Sequence, residues 1–147
     1  MSQDGWSKGT FRVAFFTSPD RMRQPPEWRD VSGVVNGSFG IWWHSAECRD
    51  GSVVVYPLMH IPSGFGLAVF LTREDAEFAA GIAERLADWN SLTVDDVNRV
   101  EDRGKWFEVR DRMFRAWDAA GVKPAATLDG SNAIVWRRVG IVPQGHA

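Results

Sequence analysis

Four short apolar runs, each beginning directly after a glycine, dominate the pattern of apolar and polar positions in the first half of the chain. They lie at residues 10–17, 38–45, 52–60 and 65–71. Asp50-Gly51 separates the second run from the third, and Pro62-Ser63-Gly64 separates the third from the fourth. Because glycine reaches the positive φ of tight turns, these separators predict a three-stranded antiparallel meander.

The chain changes to a helical period after this meander. A helix is predicted from Thr72, whose hydroxyl can cap the free amides, to Asn90-Ser91. At about 100° per residue, its large apolar side chains form one stripe, which we expect to face the core: Phe78, Ala79, Ile82, Leu86 and Trp89. Small residues flank that stripe: Ala76, Ala80, Ala83 and Ala87.

Two further helices are predicted beyond this one. Thr93 begins a capping pattern that predicts a short helix to about Glu101. A second long helix is predicted over 105–120, because Gly121 is typical of a helix end. Its core stripe contains Trp106, Val109, Met113, Ala116, Trp117 and Ala120.

The order of these elements predicts the fold class. A long loop containing prolines and glycines is expected over 18–37, and a last strand over 132–139. Antiparallel hairpins with the helices grouped together predict a single α+β domain over 1–147. We expect an antiparallel sheet of about five strands, including the central meander, with two long helices and one short helix packed on one face.

Both faces of the predicted meander are apolar. The turn at Asp50-Gly51 would place Ile41 opposite His60, and side chains alternate between the two faces. One face, which we expect the helices to cover, contains Trp42, Val53, Val55, Met59, Ile61, Phe65, Leu67, Val69 and Leu71. The opposite face contains Phe39, Ile41, Trp43, Val54, Tyr56, Leu58, His60, Ala68 and Phe70.

The second of these faces needs a cover, because an antiparallel sheet covered on one side usually presents polar residues on the other. Three covers remain open: the chain's own residues 1–37 with the C-terminal segment, a protein partner or second copy, and a small molecule. A one-residue slip in register would exchange the two faces. The face residues that we nominate for binding are Phe39, Trp43, Tyr56, His60 and Phe70.

The second long helix carries a separate candidate surface. Phe107, Arg110 and Phe114 share a stripe that points away from its core stripe. Aromatic and arginine side chains are common anchors of protein interfaces, so this stripe is also nominated for partner binding. The alternative is that it packs against the loop after Gly121.

Composition narrows the classes of function. The chain has 147 residues and eight tryptophans, and 44% of its residues are apolar, which suffices for a core without metal or disulfides. Its net charge of −2 argues against nucleic-acid binding, which usually needs a basic footprint. The one cysteine, together with the lack of a signal-peptide pattern or a membrane-length apolar run, favours a soluble cytoplasmic protein.

No residue pattern predicts catalysis or a metal site. His44 and His60 are expected on opposite faces of the sheet, so they would not share a metal ion. Ser63 lies in a turn between two strands, whereas a nucleophile elbow joins a strand to a helix. Cys48 lies beside Arg49 without a histidine obviously placed as its base. We therefore expect no catalytic residue, metal or cofactor.

The sequence favours a non-enzymatic interaction protein, such as a small inhibitor or accessory factor, that grips another protein or its own copy. The reason is an excess of aromatic surface without paired catalytic groups. The alternative is a small-molecule-binding protein or enzyme with a pocket between the aromatic sheet face and the 18–37 loop. His60 and Tyr56 would then be the polar groups of that pocket.

Overall fold

The described part of the chain contains eight strands and two α-helices. The computed structural model describes residues 5–15, 27–48, 51–91, 103–128 and 134–136. The strands are β1 (Ser7–Phe15), β2 (Glu27–Asn36), β3 (Phe39–Ile41), β4 (His44–Cys48), β5 (Gly51–His60), β6 (Phe65–Phe70), β7 (Ala126–Leu128) and β8 (Ile134–Trp136). The helices are α1 (Arg73–Glu84) and α2 (Arg103–Ala119), and a 3₁₀ turn, Trp89–Ser91, follows α1.

All of these strands pair antiparallel in one sheet. Their order is β1-β2-β3-β5-β6-β7-β8, and β4 also pairs with β5. The α+β class, the antiparallel sheet and the meander are therefore confirmed, as are the two long helices. The sheet has more strands than the expected five, and β7 was not predicted. The short helix predicted from Thr93 to Glu101 lies outside the described residues.

Residues 27–36 form strand β2 and not the second half of a loop, which corrects the prediction for 18–37. β1 pairs with β2 from Ser7 with Val35 to Phe15 with Glu27. Gly33 suggested a loop, but it lies within the strand where the backbone passes close to the Ile41 carbonyl. Glycine inside a strand often marks such a close approach. Residues 18–26 of the predicted loop lie outside the described ranges.

Replacing Gly33 by alanine is expected to destabilise the protein by about 2 kcal/mol or more. A Cβ atom there would collide with the Ile41 carbonyl, which is backbone and cannot rotate away. Gly81 in α1 is the matched control, since a Cβ atom there meets nothing within 4 Å. Gly81→Ala should stabilise the helix by about 1 kcal/mol. Urea unfolding measures both changes, and a Gly33→Ala variant as stable as the wild type would contradict the close approach.

Pro57 divides one long strand into β3 and β4. The two strands keep a single register along β5. Opposite Pro57, the Trp42 amide donates to the Pro57 carbonyl at 3.4 Å, and Pro57 returns no bond because proline lacks the amide hydrogen. The proline thus interrupts the ladder beside it.

The predicted register between the first two meander strands is wrong by two residues. Ile41 pairs with Leu58 and not with His60. Since side chains alternate, a shift of two residues leaves each one on its predicted face. On its other side, Leu58 pairs with Ala68 of β6.

Each face of the sheet has its own apolar core. The helix face lies under α1 and α2, and its buried strand residues are Val34, Phe39, Ile41, Leu58, Phe65, Leu67, Ala68 and Phe70. The curl face lies on the other side, and its buried residues are Phe11, Val13, Val55, Met59 and Val69. β1 contacts β6 although the two are not neighbours in the sheet. The sheet therefore curls, and its first strands cover its own second face.

The helices cover the opposite face from the one we predicted. They pack on the face of Phe39 and Phe70, which was expected to need another cover. The face of Val55 and Val69 is covered by β1, through Phe11 and Val13. Because the two faces are similarly apolar, the pattern of apolar positions does not indicate which face the helices cover. The N-terminal segment, one of the three covers considered, therefore does cover a sheet face. It covers the face of Val55 and Val69 and not the face of Phe39 and Phe70.

A β-bulge explains why two residues changed face. The register of β5 against β6 shifts by one residue between Leu58 and Met59, which leaves Leu67 as the extra residue. Alternation is inverted beyond a bulge. Phe65 and Leu67 therefore join the core of the helix face, although they were expected on the other one.

The buried side of α1 is its alanine stripe. Ala76, Ala79, Ala80 and Ala83 are buried, whereas Phe78 is 58% exposed. The predicted core stripe is therefore wrong for Phe78, whereas Ala79 and Trp89 are buried and Ile82 and Leu86 pack against the core. Small side chains let the helix axis approach the sheet and α2 closely, and this close packing outweighs the burial of one larger ring. The start of the helix is as predicted, since the Asp75 amide donates to Thr72 Oγ1 at 3.1 Å.

Candidate functional site

The nominated residues of the sheet face divide into a covered and an uncovered group. Phe39, His60 and Phe70 lie beneath the helices, and each is at most 3% exposed. Trp43 is 45% exposed, and Tyr56 is half-buried. The nominated sheet face is therefore buried in the core at the end of Phe39, His60 and Phe70. It is exposed to solvent at the end of Trp43.

His60 forms a closed hydrogen-bond network within the covered part. Its Nε2 lies 2.7 Å from the Trp89 carbonyl, which can only accept, so Nε2 carries the proton and donates. The Ser63 hydroxyl then donates to Nδ1 at 2.7 Å, and the Phe65 amide donates to Ser63 Oγ at 3.2 Å. The rings of Trp89 and Trp106 lie 5.4 and 5.6 Å from the His60 ring, measured between centroids.

This network is structural. Burial lowers the pKa of His60 from 6.5 to about 4, and the bond to the Trp89 carbonyl, which favours the charged ring, offsets only part of that effect. His60 is therefore neutral at pH 7. Neither His60 nor Ser63 has any exposed surface, so the pair is inaccessible to a substrate in solution.

The uncovered part forms a small apolar surface on two adjacent strand segments. Trp43 and Tyr56 face each other with ring centroids 6.1 Å apart. Val54, two residues before Tyr56 on β5, is 46% exposed. Residues two apart on a strand share a face. We call Trp43, Val54 and Tyr56 the sheet patch; the sequence placed Val54 on this face but did not nominate it.

A groove of about 440 Å³ adjoins the sheet patch. It is lined by Lys8, Gly9, Thr10, Ser32, Gly33 and Trp43. Residues with polar side chains and two glycines thus line the groove beside the exposed indole. Trp28, further along β2, is 39% exposed and shares the face of Ser32 by strand alternation. Trp28 lies in the segment that the sequence predicted as a loop, so its position on a strand face was not predicted.

The nominated helix stripe has a defined geometry. The guanidinium carbon of Arg110 lies 5.1 Å from the ring centroid of Phe107 and 5.7 Å from that of Phe114. All three side chains are half-buried. Phe114 also contacts Trp117, with ring centroids 5.6 Å apart. Phe107 and Phe114 both pack against the core of the helix face, so the stripe is anchored in the core at both ends.

The two central histidines lie on different faces, as predicted. His44 pairs with Val55 of the curl face and stacks on Trp42 with ring centroids 4.7 Å apart. His60 belongs to the helix face. Cys48 pairs with Gly51 across the hairpin.

The site carries no signature that assigns it to a known class. In the ranges that the structure describes, no three His, Cys, Asp or Glu residues come together as a metal-binding group. Neither described helix is long and apolar enough to cross a membrane. Compared with protein-family models, curated proteins and solved structures, the chain matches none of them.

Proposed function

We propose that this protein binds another protein through the sheet patch and acts without catalysing a reaction. The observation that carries the proposal is Trp43, whose side chain is 45% exposed beside an equally exposed Val54. Tryptophan is enriched among the residues that dominate binding energy, because its large rigid ring buries much apolar area. A small inhibitor or accessory factor would work in this way.

The openness of the patch favours a protein over a small molecule. Small-molecule sites usually enclose most of the ligand in a concavity, whereas Trp43 and Val54 stand open to solvent. His60 was the main polar group of the small-molecule alternative. Both of its ring nitrogens are bonded inside the core, so it has no group left for a ligand.

Strand β4 supports the choice of a protein partner. Within the described ranges β4 pairs with β5 alone. Among the described residues no strand pairs with its other side, which makes that side a candidate edge for a partner strand. Trp43 directly precedes β4, so a strand added there would lie against the sheet patch.

The variant Trp43→Ser is expected to weaken partner binding about 30-fold, the loss of roughly 2 kcal/mol typical of an interface hot spot. Phe78→Ser is the matched control, because it removes a 58% exposed aromatic side chain from α1 and should leave binding unchanged. Immobilised wild-type protein isolates the partner. Calorimetry with the purified partner then gives a dissociation constant for each variant, and light scattering tests self-association.

Two results would contradict this proposal. One is a partner that binds Trp43→Ser as tightly as the wild type. The other is a wild-type protein that stays monomeric and retains no partner. Thermal unfolding must show that both variants remain folded at the temperature of the binding measurement, since Trp43 is more than half buried and its loss costs some stability.

A further inference from the structure

Arg110 occupies an unusual position on α2. Its guanidinium carbon lies 5.1 Å from the centre of the Phe107 ring and 5.7 Å from that of Phe114. These rings come from positions three residues before and four residues after Arg110, so all three side chains share one side of the helix. Two aromatic faces hold the cation in place before any ligand arrives.

The hydrogen-bonding groups of Arg110 are incompletely used. Its Nε atom is buried and has no hydrogen-bond partner. Among the described residues, no carboxylate forms an ion pair with this guanidinium, whereas Arg73 pairs with Glu77 and Arg112 with Glu108. Only Nε is buried without a partner, so the two Nη groups of this half-buried side chain are the donors that a ligand can reach.

We propose that the Phe107–Arg110–Phe114 stripe is a recognition site for a carboxylate on a partner protein, presented by an acidic side chain with apolar neighbours. The planar guanidinium fork matches a carboxylate through two parallel hydrogen bonds. The flanking rings provide apolar contact for the neighbours of the acidic residue. The site stands apart from the sheet patch, so either proposal can fail alone.

The charge of α2 favours an anionic partner. From Arg103 to Ala119 the helix carries three acidic residues, Glu108, Asp111 and Asp118, and five basic ones, Arg103, Lys105, Arg110, Arg112 and Arg115. The helix is therefore net positive, which attracts a carboxylate. One unpaired guanidinium balances one carboxylate, whereas a phosphate group carries close to two negative charges and is usually bound by several cations.

The test follows the Arg110 Nε–H signal by NMR in the full-length, ¹⁵N-labelled protein. The probes are the capped tripeptide acetyl-Leu-Asp-Leu-amide and its Asp-to-Asn counterpart, at constant ionic strength. We expect a saturable shift with the Asp peptide and at least about 10-fold weaker binding of the Asn peptide, because a charged acceptor roughly doubles the hydrogen-bond strength. Inorganic phosphate, titrated separately, should bind more weakly than the Asp peptide.

Two variants and one control complete the experiment, followed through the backbone amide signals around residue 110. Arg110→Gln should abolish binding of the Asp peptide, and Arg110→Lys should weaken it about fivefold, because lysine keeps the charge and loses the fork. Arg115→Gln, an exposed change on the same helix, should bind like the wild type. Equal affinity for both peptides, wild-type binding by Arg110→Gln, or tighter binding of phosphate would each overturn the proposal.

Discussion

Replacing Trp117 by alanine is expected to destabilise the protein by about 3–5 kcal/mol, the range for removing a large buried aromatic side chain. Trp117 is 1% exposed. Its ring meets Phe70 of the sheet at 5.5 Å and Phe114 of its own helix at 5.6 Å, between centroids. Its indole N–H donates to the Ala79 carbonyl of α1 at 2.9 Å. One side chain thus joins the sheet to both helices.

The variant Trp117→Phe separates packing from hydrogen bonding. It keeps a ring in the core but leaves the Ala79 carbonyl without its indole partner, so we expect a loss of about 1–2 kcal/mol. Urea unfolding at pH 7 gives the free energy of unfolding for both variants. A loss below about 1 kcal/mol for Trp117→Ala would show that this contact does not hold the helices to the sheet, because exposed positions behave in that way.

Lowering the pH from 6.5 to 4 is expected to remove about 3 kcal/mol of stability through His60 alone. Burial depresses the pKa of His60 to about 4 in the folded protein, whereas the unfolded chain titrates near 6.5. Between pH 6.5 and 4 the His60 ring is largely protonated in the unfolded state and largely neutral in the folded state. Lowering the pH therefore favours unfolding. The contribution is fully present above pH 6.5 and is lost by pH 4.

The free energy of unfolding, measured by urea at several pH values, checks this prediction. His60→Gln should be less stable at pH 7, because it disrupts the bonds to Ser63 and Trp89, but its stability should fall less steeply between pH 6.5 and 4. A variant with the same pH slope as the wild type would contradict the assignment. NMR titration offers a direct check, since the His60 ring should remain neutral at pH 5.

The local elements were predictable because their signals are local. Gly64, with φ of 75°, forms the turn predicted after Pro62. Gly121, with φ of 78°, ends α2 as predicted. Thr72 caps α1 through its hydroxyl. In each case a residue supplies a backbone conformation or hydrogen bond that few other residues supply, so the position can be read without knowing the fold.

The candidate site was predictable only in part. Trp43, Tyr56 and Arg110 were nominated from their faces, and the structure leaves each of them at least partly exposed. His60 and Phe70 were nominated by the same argument, yet they lie buried under the helices. Alternation along a strand assigns a residue to a face but contains no information on how much of that face another element covers.

The sequence by itself determined the α+β class, the meander and the two long helices, because turns, caps and periodicity act within a few residues. Only the tertiary structure decided which face the helices cover, that β1 folds over the other face, and that the bulge at Leu67 moves Phe65 between cores. These outcomes depend on contacts between distant segments. Because the two faces are similarly apolar, the close packing of the alanine stripe of α1 and the curl of the sheet determine which face the helices cover.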